Sequence, residues 1–177
     1  MDDLARELGM SKKTLYLHFP TREALIAAAI ESKIAEFRTG VFATAGDESL
    51  PFNERVHRLM TFVVRQMSGV SPAFLRDLER QHPALFLRIE TVRAEVLPQV
   101  WGQVLAAGTA DGLVRHELNP AFLSEMMLTT IQGLLRPAVL DRLQLPPHEV
   151  IDRVLTILFA GILTPTGRKA YENGPSR

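Results

Sequence analysis

Between positions 11 and 22 the chain gathers side chains suited to phosphates and base edges: Ser11, Lys12, Lys13, Thr14, Tyr16, His18 and Arg22. A helix that reads DNA must present short or basic side chains on its first turn and keep an apolar rear face that fixes its angle in the groove. Ser11 can cap such a helix, Lys12, Lys13 and Thr14 fall on its exposed start, and Leu15 and Phe19 can turn inward against Leu4 and Leu8. The Tyr16 hydroxyl can donate to a phosphate oxygen, and Arg22 brings a cation to the same backbone contact. Taken singly, Lys12 and Lys13 read as a solvated pair and Tyr16 as a half-buried surface aromatic; their order is what points to nucleic acid.

Other chemistries find little in the sequence. The histidines His18, His57, His82, His116 and His148 are scattered, and no two sit four apart on one helix as a zinc pair would. Glu79 and His82 are closer, but Pro83 follows at once and places them at a helix end. There is no glycine-rich phosphate loop and no glycine-flanked serine nucleophile, so no catalytic residue, metal or cofactor is expected and the chain does not read as an enzyme. It has no cysteine, which removes disulfides and thiolate metal sites and fits a reducing cytoplasm. The start, Met-Asp-Asp, lacks the pattern of a secretory signal. The most apolar stretch, Val150 to Leu163, contains Asp152 and Arg153 and falls short of the roughly 20 residues a membrane span requires. Twenty basic and twenty acidic side chains cancel, so any contact with DNA has to come from local placement.

The elements that must position residues 11–22 follow from periodicity and punctuation. Asp2 to Leu8 and Ser11 to Phe19 are short helical blocks around Gly9-Met10, a helix, tight turn and helix. Pro20-Thr21 breaks the chain, and Thr21 can cap a long third helix whose apolar residues Leu25, Ile26, Ala29, Ile30, Ile34, Phe37 and Val41 recur at three and four. Further on, Phe52 to Met67 carries one apolar stripe, a short helix spans Pro72 to Arg80, and another starts at Pro83 with Pro98 placed to bend it and Gly108 and Gly112 to close it. Asn119-Pro120 and Pro146-Pro147 open two long C-terminal helices whose apolar residues exceed one stripe, which fits either a deep core or a subunit interface built as a four-helix bundle. A polar tail follows Pro165. The chain therefore reads as all-α, with a helix-turn-helix head and connecting helix over 1–45 and a larger helical body over 46–177.

The segment from Asp3 to Leu25 closely resembles the helix-turn-helix signature of the TetR/AcrR family of transcriptional regulators. Ala5 and Gly9 stand at its small-residue positions, Ser11 opens its recognition helix, Leu15-Tyr16 and His18-Phe19 match its closing block, and Glu23-Ala24-Leu25 match the start of its next helix. Beyond these two dozen residues the likeness lies in helix order, length and a loop such as Ala110 to Pro120. The resemblance implies that Ser11, Lys12, Lys13 and Thr14 face bases and nearby phosphates, while Tyr16, His18 and Arg22 hold the DNA backbone. It implies a ligand-responsive repressor, a homodimer through the last two long helices, released from double-stranded operator DNA by a small, mostly apolar effector. Met60, Phe62, Phe74, Phe86, Trp101 and Met127 are the candidate ligand residues, although each also reads as plain core. Arg76, Arg80, Arg88 and Arg93 can meet an anionic group on a ligand or pair with neighbouring carboxylates.

The sequence departs from the family pattern at its start, where the family carries a complete first helix and a Ser or Thr cap ahead of the position matching Met1. Without that helix Leu4, Leu8 and Leu15 are expected to be exposed. Charge in residues 1–30 balances to zero, with Arg6, Lys12, Lys13 and Arg22 against Asp2, Asp3, Glu7 and Glu23. Leu17 stands where the family often has an aromatic or basic residue. These departures leave open a second reading, a helical dimer that binds a small molecule or a protein and does not bind DNA.

Overall fold

The computed structural model describes residues 1–172. Among these the chain is helical, and the one strand-like feature is an isolated antiparallel bridge between Val114 and Leu163. It divides into two compact units, Met1–Glu36 and the chain from Phe37 onward. The head unit holds α1 (Asp2–Glu7), α2 (Lys12–His18) and the first part of α3 (Arg22–Ala45), and the division falls inside α3.

The body unit contains α4 (Phe52–Met67), α5 (Pro72–Gln81), α6 (Pro83–Ala110), α7 (Pro120–Leu134), α8 (Pro137–Leu143), α9 (Pro147–Ile162) and α10 (Pro165–Glu172). Proline stands at the start of α5 to α9, where its missing N–H has no intrahelical partner to lose. Side chains complete two of these starts. Ser71 Oγ accepts the Phe74 N–H at 3.0 Å, and Asn119 Oδ1 accepts those of Ala121 and Phe122 at 2.9 and 3.1 Å.

In the core, α6 packs against α7, and α4 lies against α9 and α6. Val56, Leu59 and Met60 from α4, Val96, Trp101 and Leu105 from α6, Met127 from α7, and Leu155 and Phe159 from α9 are fully buried. Each such aliphatic side chain contributes about 1.5–3 kcal/mol by leaving water. α6 runs unbroken through Pro98. Gly108 does not end that helix: a Cβ there would run into the Phe52 and Val114 side chains, so the glycine is what lets α4 and the loop after α6 approach. Gly112, with φ +68°, supplies the left-handed residue after the helix.

Two elements differ from the sequence expectation. Arg136-Pro137 restarts the chain as α8 after α7 has ended at Leu134, because Pro137 brings no donor and cannot continue a helix. Residues 165–172, expected as a polar tail, form α10, while 173–177 of that tail lie outside the described residues. Helix α10 is anchored from its own N-terminus. Thr164 N–H donates to the Leu113 carbonyl at 2.9 Å, and Thr164 Oγ1 donates to the Gly112 carbonyl while accepting the Gly167 N–H, each at 3.0 Å. A Cβ at Gly167 would run into the Leu113 carbonyl, so glycine is required for α10 to sit there.

No helix among the described residues is long and apolar enough to cross a membrane. None of their histidines and carboxylates group into a possible metal site.

Candidate nucleic-acid interface

The turn between α1 and α2 is built by backbone bonds that only a left-handed residue permits. Gly9 has φ +64°; its N–H reaches the Arg6 carbonyl at 3.2 Å and the next N–H, from Met10, reaches Ala5 at 3.0 Å. These two bonds form the crossed pair of a Schellman ending, which stops α1 and aims the chain into α2. Ser11 then caps α2: its Oγ accepts the Thr14 N–H at 3.0 Å and lies 2.8 Å from the Thr14 hydroxyl. At the far end Thr21 Oγ1 accepts the Ala24 N–H at 3.0 Å and starts α3.

Helix α2 is held by one residue. Leu15 is 1% exposed, and Ala5 on α1 is also buried. Leu8, expected to pack inward, is instead 55% exposed. It is the C-cap of α1, at φ −81° and ψ 0°, with its N–H still donating to the Leu4 carbonyl at 2.9 Å. Leu4 is half-buried, so the expected exposure of Leu4, Leu8 and Leu15 holds in full only for Leu8.

With Leu15 inward, the 100° step per residue turns Lys13 and Leu17 directly outward, with Tyr16 and Thr14 on the flanks. Ser11, Lys12, Lys13, Thr14, Tyr16, His18 and Arg22 are all exposed, so the predicted set shares the surface of α2 and the start of α3. Leu17, 81% exposed, belongs with them although its apolar character left it outside the predicted set. A methyl-bearing side chain on this face can meet a thymine methyl group.

Charge on the head is partly spoken for. Lys12 pairs with Asp2, whose carboxyl is held below its ordinary value chiefly by the hydrogen bond from Lys12. Arg6 lies 3.3 Å from Asp3. Lys13 and Arg22 form no ion pair among the described residues, and they are the cations most available to phosphates.

In the body the six candidate ligand residues separate. Met60, Trp101 and Met127 are fully buried. Phe62 is half-buried, its ring 6.4 Å from that of Phe37 and pressed against Gly40, so it serves the contact between α3 and α4. Phe86 is half-buried on α6, and Phe74 stands 48% exposed on α5, at the surface. The arginines are engaged with carboxylates: Arg76 with Asp141 at 2.7 Å, Arg80 with Asp77 at 3.6 Å, and Arg93 with Glu90 in a close pair. Arg88 also has a partner.

Sequence reasoning missed the residues that surround Trp101. Its ring centroid is 5.5 Å from that of Phe159, which stacks at 6.0 Å on Tyr171, and Tyr171 stacks at 4.4 Å on His57. The Tyr171 hydroxyl reaches Met60 Sδ at 3.4 Å. Phe159 was readable as an apolar residue of α9, but nothing local in the polar run after Pro165 signals that Tyr171 turns inward.

Comparison with known proteins places this geometry. Residues 1–29 match the family described as bacterial regulatory proteins, tetR family. Over 164 residues the chain is 26% identical to the uncharacterized HTH-type transcriptional regulator YvaF of Bacillus subtilis, covering 92% of this chain and 84% of that one. It is 20% identical to the HTH-type transcriptional repressor DhaR of a Mycobacterium species over 98% of this chain and 86% of the relative. A third relative, the nucleoid occlusion factor SlmA of Shewanella oneidensis, is 26% identical over 84% of this chain and 77% of its own length. Among solved structures the fold is similar to the fatty acid degradation regulator FadR of Bacillus halodurans, with TM-score 0.58 and 18% identity over 90% of this chain and 83% of that one. The Schellman turn at Gly9, the Ser11 cap and the outward face of α2 thus lie within the residues that match the tetR family of bacterial regulatory proteins, and the relatives to which the chain is similar over most of its length include transcriptional regulators of the helix-turn-helix type.

Proposed function

We propose that the chain is a homodimeric, cytoplasmic repressor that leaves its operator when a small, mostly apolar effector binds its body. Residues 1–45 act as DNA-binding head and connecting helix, and 46–177 as the ligand-binding and dimerisation domain. The observation that carries the reading is the surface of α2: Leu15 is buried while Ser11, Lys12, Lys13, Thr14 and Tyr16 are exposed. Phosphate contacts from Tyr16, His18 and Arg22 orient the helix, and Lys13 and Thr14 discriminate base edges.

Two such helices must enter successive major grooves about 34–36 Å apart, so a dimer is needed. Leu155, on the inward stripe of α9, is fully buried within one protomer and cannot make an interface. The outward faces of α7 and α9 can. Phe122 is 65% exposed and Ile157 71% exposed, and Gly133 and Gly161 leave the surface open to close approach. A two-fold interface of this kind sets the spacing of the heads. An effector that prefers the body in a DNA-incompetent spacing lowers operator affinity by its differential affinity for the two states.

The test is selection of duplexes from a randomised pool on the purified protein, followed by anisotropy titration of the selected and random duplexes at two salt concentrations. The selected duplex should bind more tightly, and Tyr16→Phe and Lys13→Ala should weaken it. Failure of any sequence to enrich would remove the repressor reading. Ile157→Glu should convert dimers to monomers in sedimentation; a dimer unaffected by it places the interface elsewhere.

A further inference from the structure

The ring of Tyr171 lies in a slot between two others. It is nearly parallel to His57, at 7° and 4.4 Å, and to Phe159, at 6° and 6.0 Å. Trp101 follows beyond Phe159, with Met60 beside the Tyr171 hydroxyl. All but one of these side chains are buried core residues of α4, α6 and α9. The exception is the half-buried Tyr171, carried by α10, a helix of eight residues. Helix α10 is fastened at its start through Thr164 and Gly167, and near its end by Asn53 Nδ2 donating to the Ala170 carbonyl at 3.2 Å and His57 Nε2 donating to that of Tyr171 at 3.0 Å.

The same cluster contains an unmet polar group. Trp101 is 1% exposed, yet its indole N–H has no hydrogen-bond partner among the described residues. A buried donor left unpaired costs roughly 1–3 kcal/mol, and native cores retain few of them. Tyr171 does not relieve it, since its hydroxyl is turned to the sulfur of Met60.

We propose that Tyr171 is a tethered occupant of a ligand site. The ligand is a planar aromatic molecule that stacks between His57 and Phe159 in place of the tyrosine ring and offers an uncharged hydrogen-bond acceptor to the Trp101 N–H. This rests on the reading of the body as an effector domain and gives that effector a chemical class. Binding exchanges one stacked ring for another, so the apolar burial is conserved, while the indole N–H gains a partner it lacks in the closed form. The residue that leaves is carried by the shortest of the four helices that contribute to the cluster. Apparent affinity is the intrinsic affinity multiplied by the fraction of time the slot is open.

Trp101 is the only tryptophan in the chain and reports on the site directly. The probes are 2-acetylnaphthalene, which carries a carbonyl acceptor, and 2-ethylnaphthalene, which has nearly the same shape and none. On the full chain, Tyr171→Ala should bind 2-acetylnaphthalene about tenfold or more tighter than the unsubstituted protein, read as quenching of Trp101, because the closed state no longer competes. Tyr171→Phe, which keeps the ring, should retain the weak binding of the original. Gly167→Ala, which pushes the start of α10 off Leu113 with Tyr171 intact, should reproduce the tightening and serves if Tyr171→Ala does not fold. In the opened variant 2-ethylnaphthalene should bind roughly fivefold more weakly than its carbonyl analogue. Trp101→Phe, followed by calorimetry, should erase that difference.

If a folded opened variant binds the probes no better than the original, Tyr171 is core packing only and the proposal fails. Equal affinity for the two probes in every variant removes the role of the indole N–H and with it the ligand class. Operator binding measured on the same variants is a separate readout: a probe that fills the slot without changing operator affinity preserves the site and overturns effector control.

Discussion

The head and the body are held together by different kinds of contact. In residues 1–36 the buried apolar set is small, Ala5, Leu15, Ile30 and Ile34, and the turn geometry comes from bonds between residues three to five apart, such as Met10 to Ala5 and Thr14 to Ser11. In the body, fully buried side chains from α4, α6, α7 and α9 meet across large sequence separations. A locally determined motif can be read from a short window of sequence and can keep its surface free for DNA. A core assembled from distant helices can hold a ligand but does not announce which residues will meet.

The widest gap between the two should appear on deleting one core side chain. Leu155→Ala in the body should cost about 3 kcal/mol in denaturant unfolding, from lost transfer energy and the cavity left behind. A loss under 1 kcal/mol would mean that α9 is not the keystone its burial indicates. Glu90→Gln should come next, at roughly 3 kcal/mol or a little less, because Arg93 would keep a largely buried charge without its partner. Burial pulls the Arg93 pKa down while Glu90 opposes it.

In the head the expected effects are smaller. Gly9→Ala forces an L side chain to φ +64° and should cost about 1–2 kcal/mol. It should accelerate hydrogen exchange in α1 and α2 while leaving α6 and α9 unchanged; equal acceleration throughout would erase the distinction between the two units. The smallest effect concerns affinity. Asp2→Asn releases Lys12 and should strengthen binding to random duplex severalfold, steepening the dependence of log K on log salt by about 0.9. Asp2 is held below its ordinary carboxylate value, 3.8, so it stays charged at every pH above that value, and its pair with Lys12 is lost only as pH falls through the depressed value. The effect of the substitution should therefore be the same at pH 6 and pH 8.

What was legible in the sequence follows the same division. The α1 turn, the Ser11 cap, the Thr21 cap and the exposed set on α2 are each decided within five residues, and all were read correctly. In the body the prolines at helix starts marked α5, α6, α7 and α9. Helix α8 escaped because α7, Arg136-Pro137 and the residues after them share one apolar texture. Helix α10 is not legible because its inward residues acquire partners only from distant segments, Gly167 beside Leu113 and Ala170 and Tyr171 beside α4. Phe74 and Phe62 are large and apolar, and that character does not determine which face of a helix is covered.

The anchoring of α10 also sets an order of events during synthesis. Asn53 and its partner Ala170 are separated by 117 residues, and His57 and Tyr171 by 114. At the usual ~5–20 residues per second, on the order of ten seconds pass between the emergence of α4 and that of the helix that completes its polar bonds. Through that interval the head can form its turn and cap its helices, while Asn53 and His57 of α4 keep water as their partner. Slowing translation over residues 53–170 should therefore delay the docking of α10 on α4 without delaying the head.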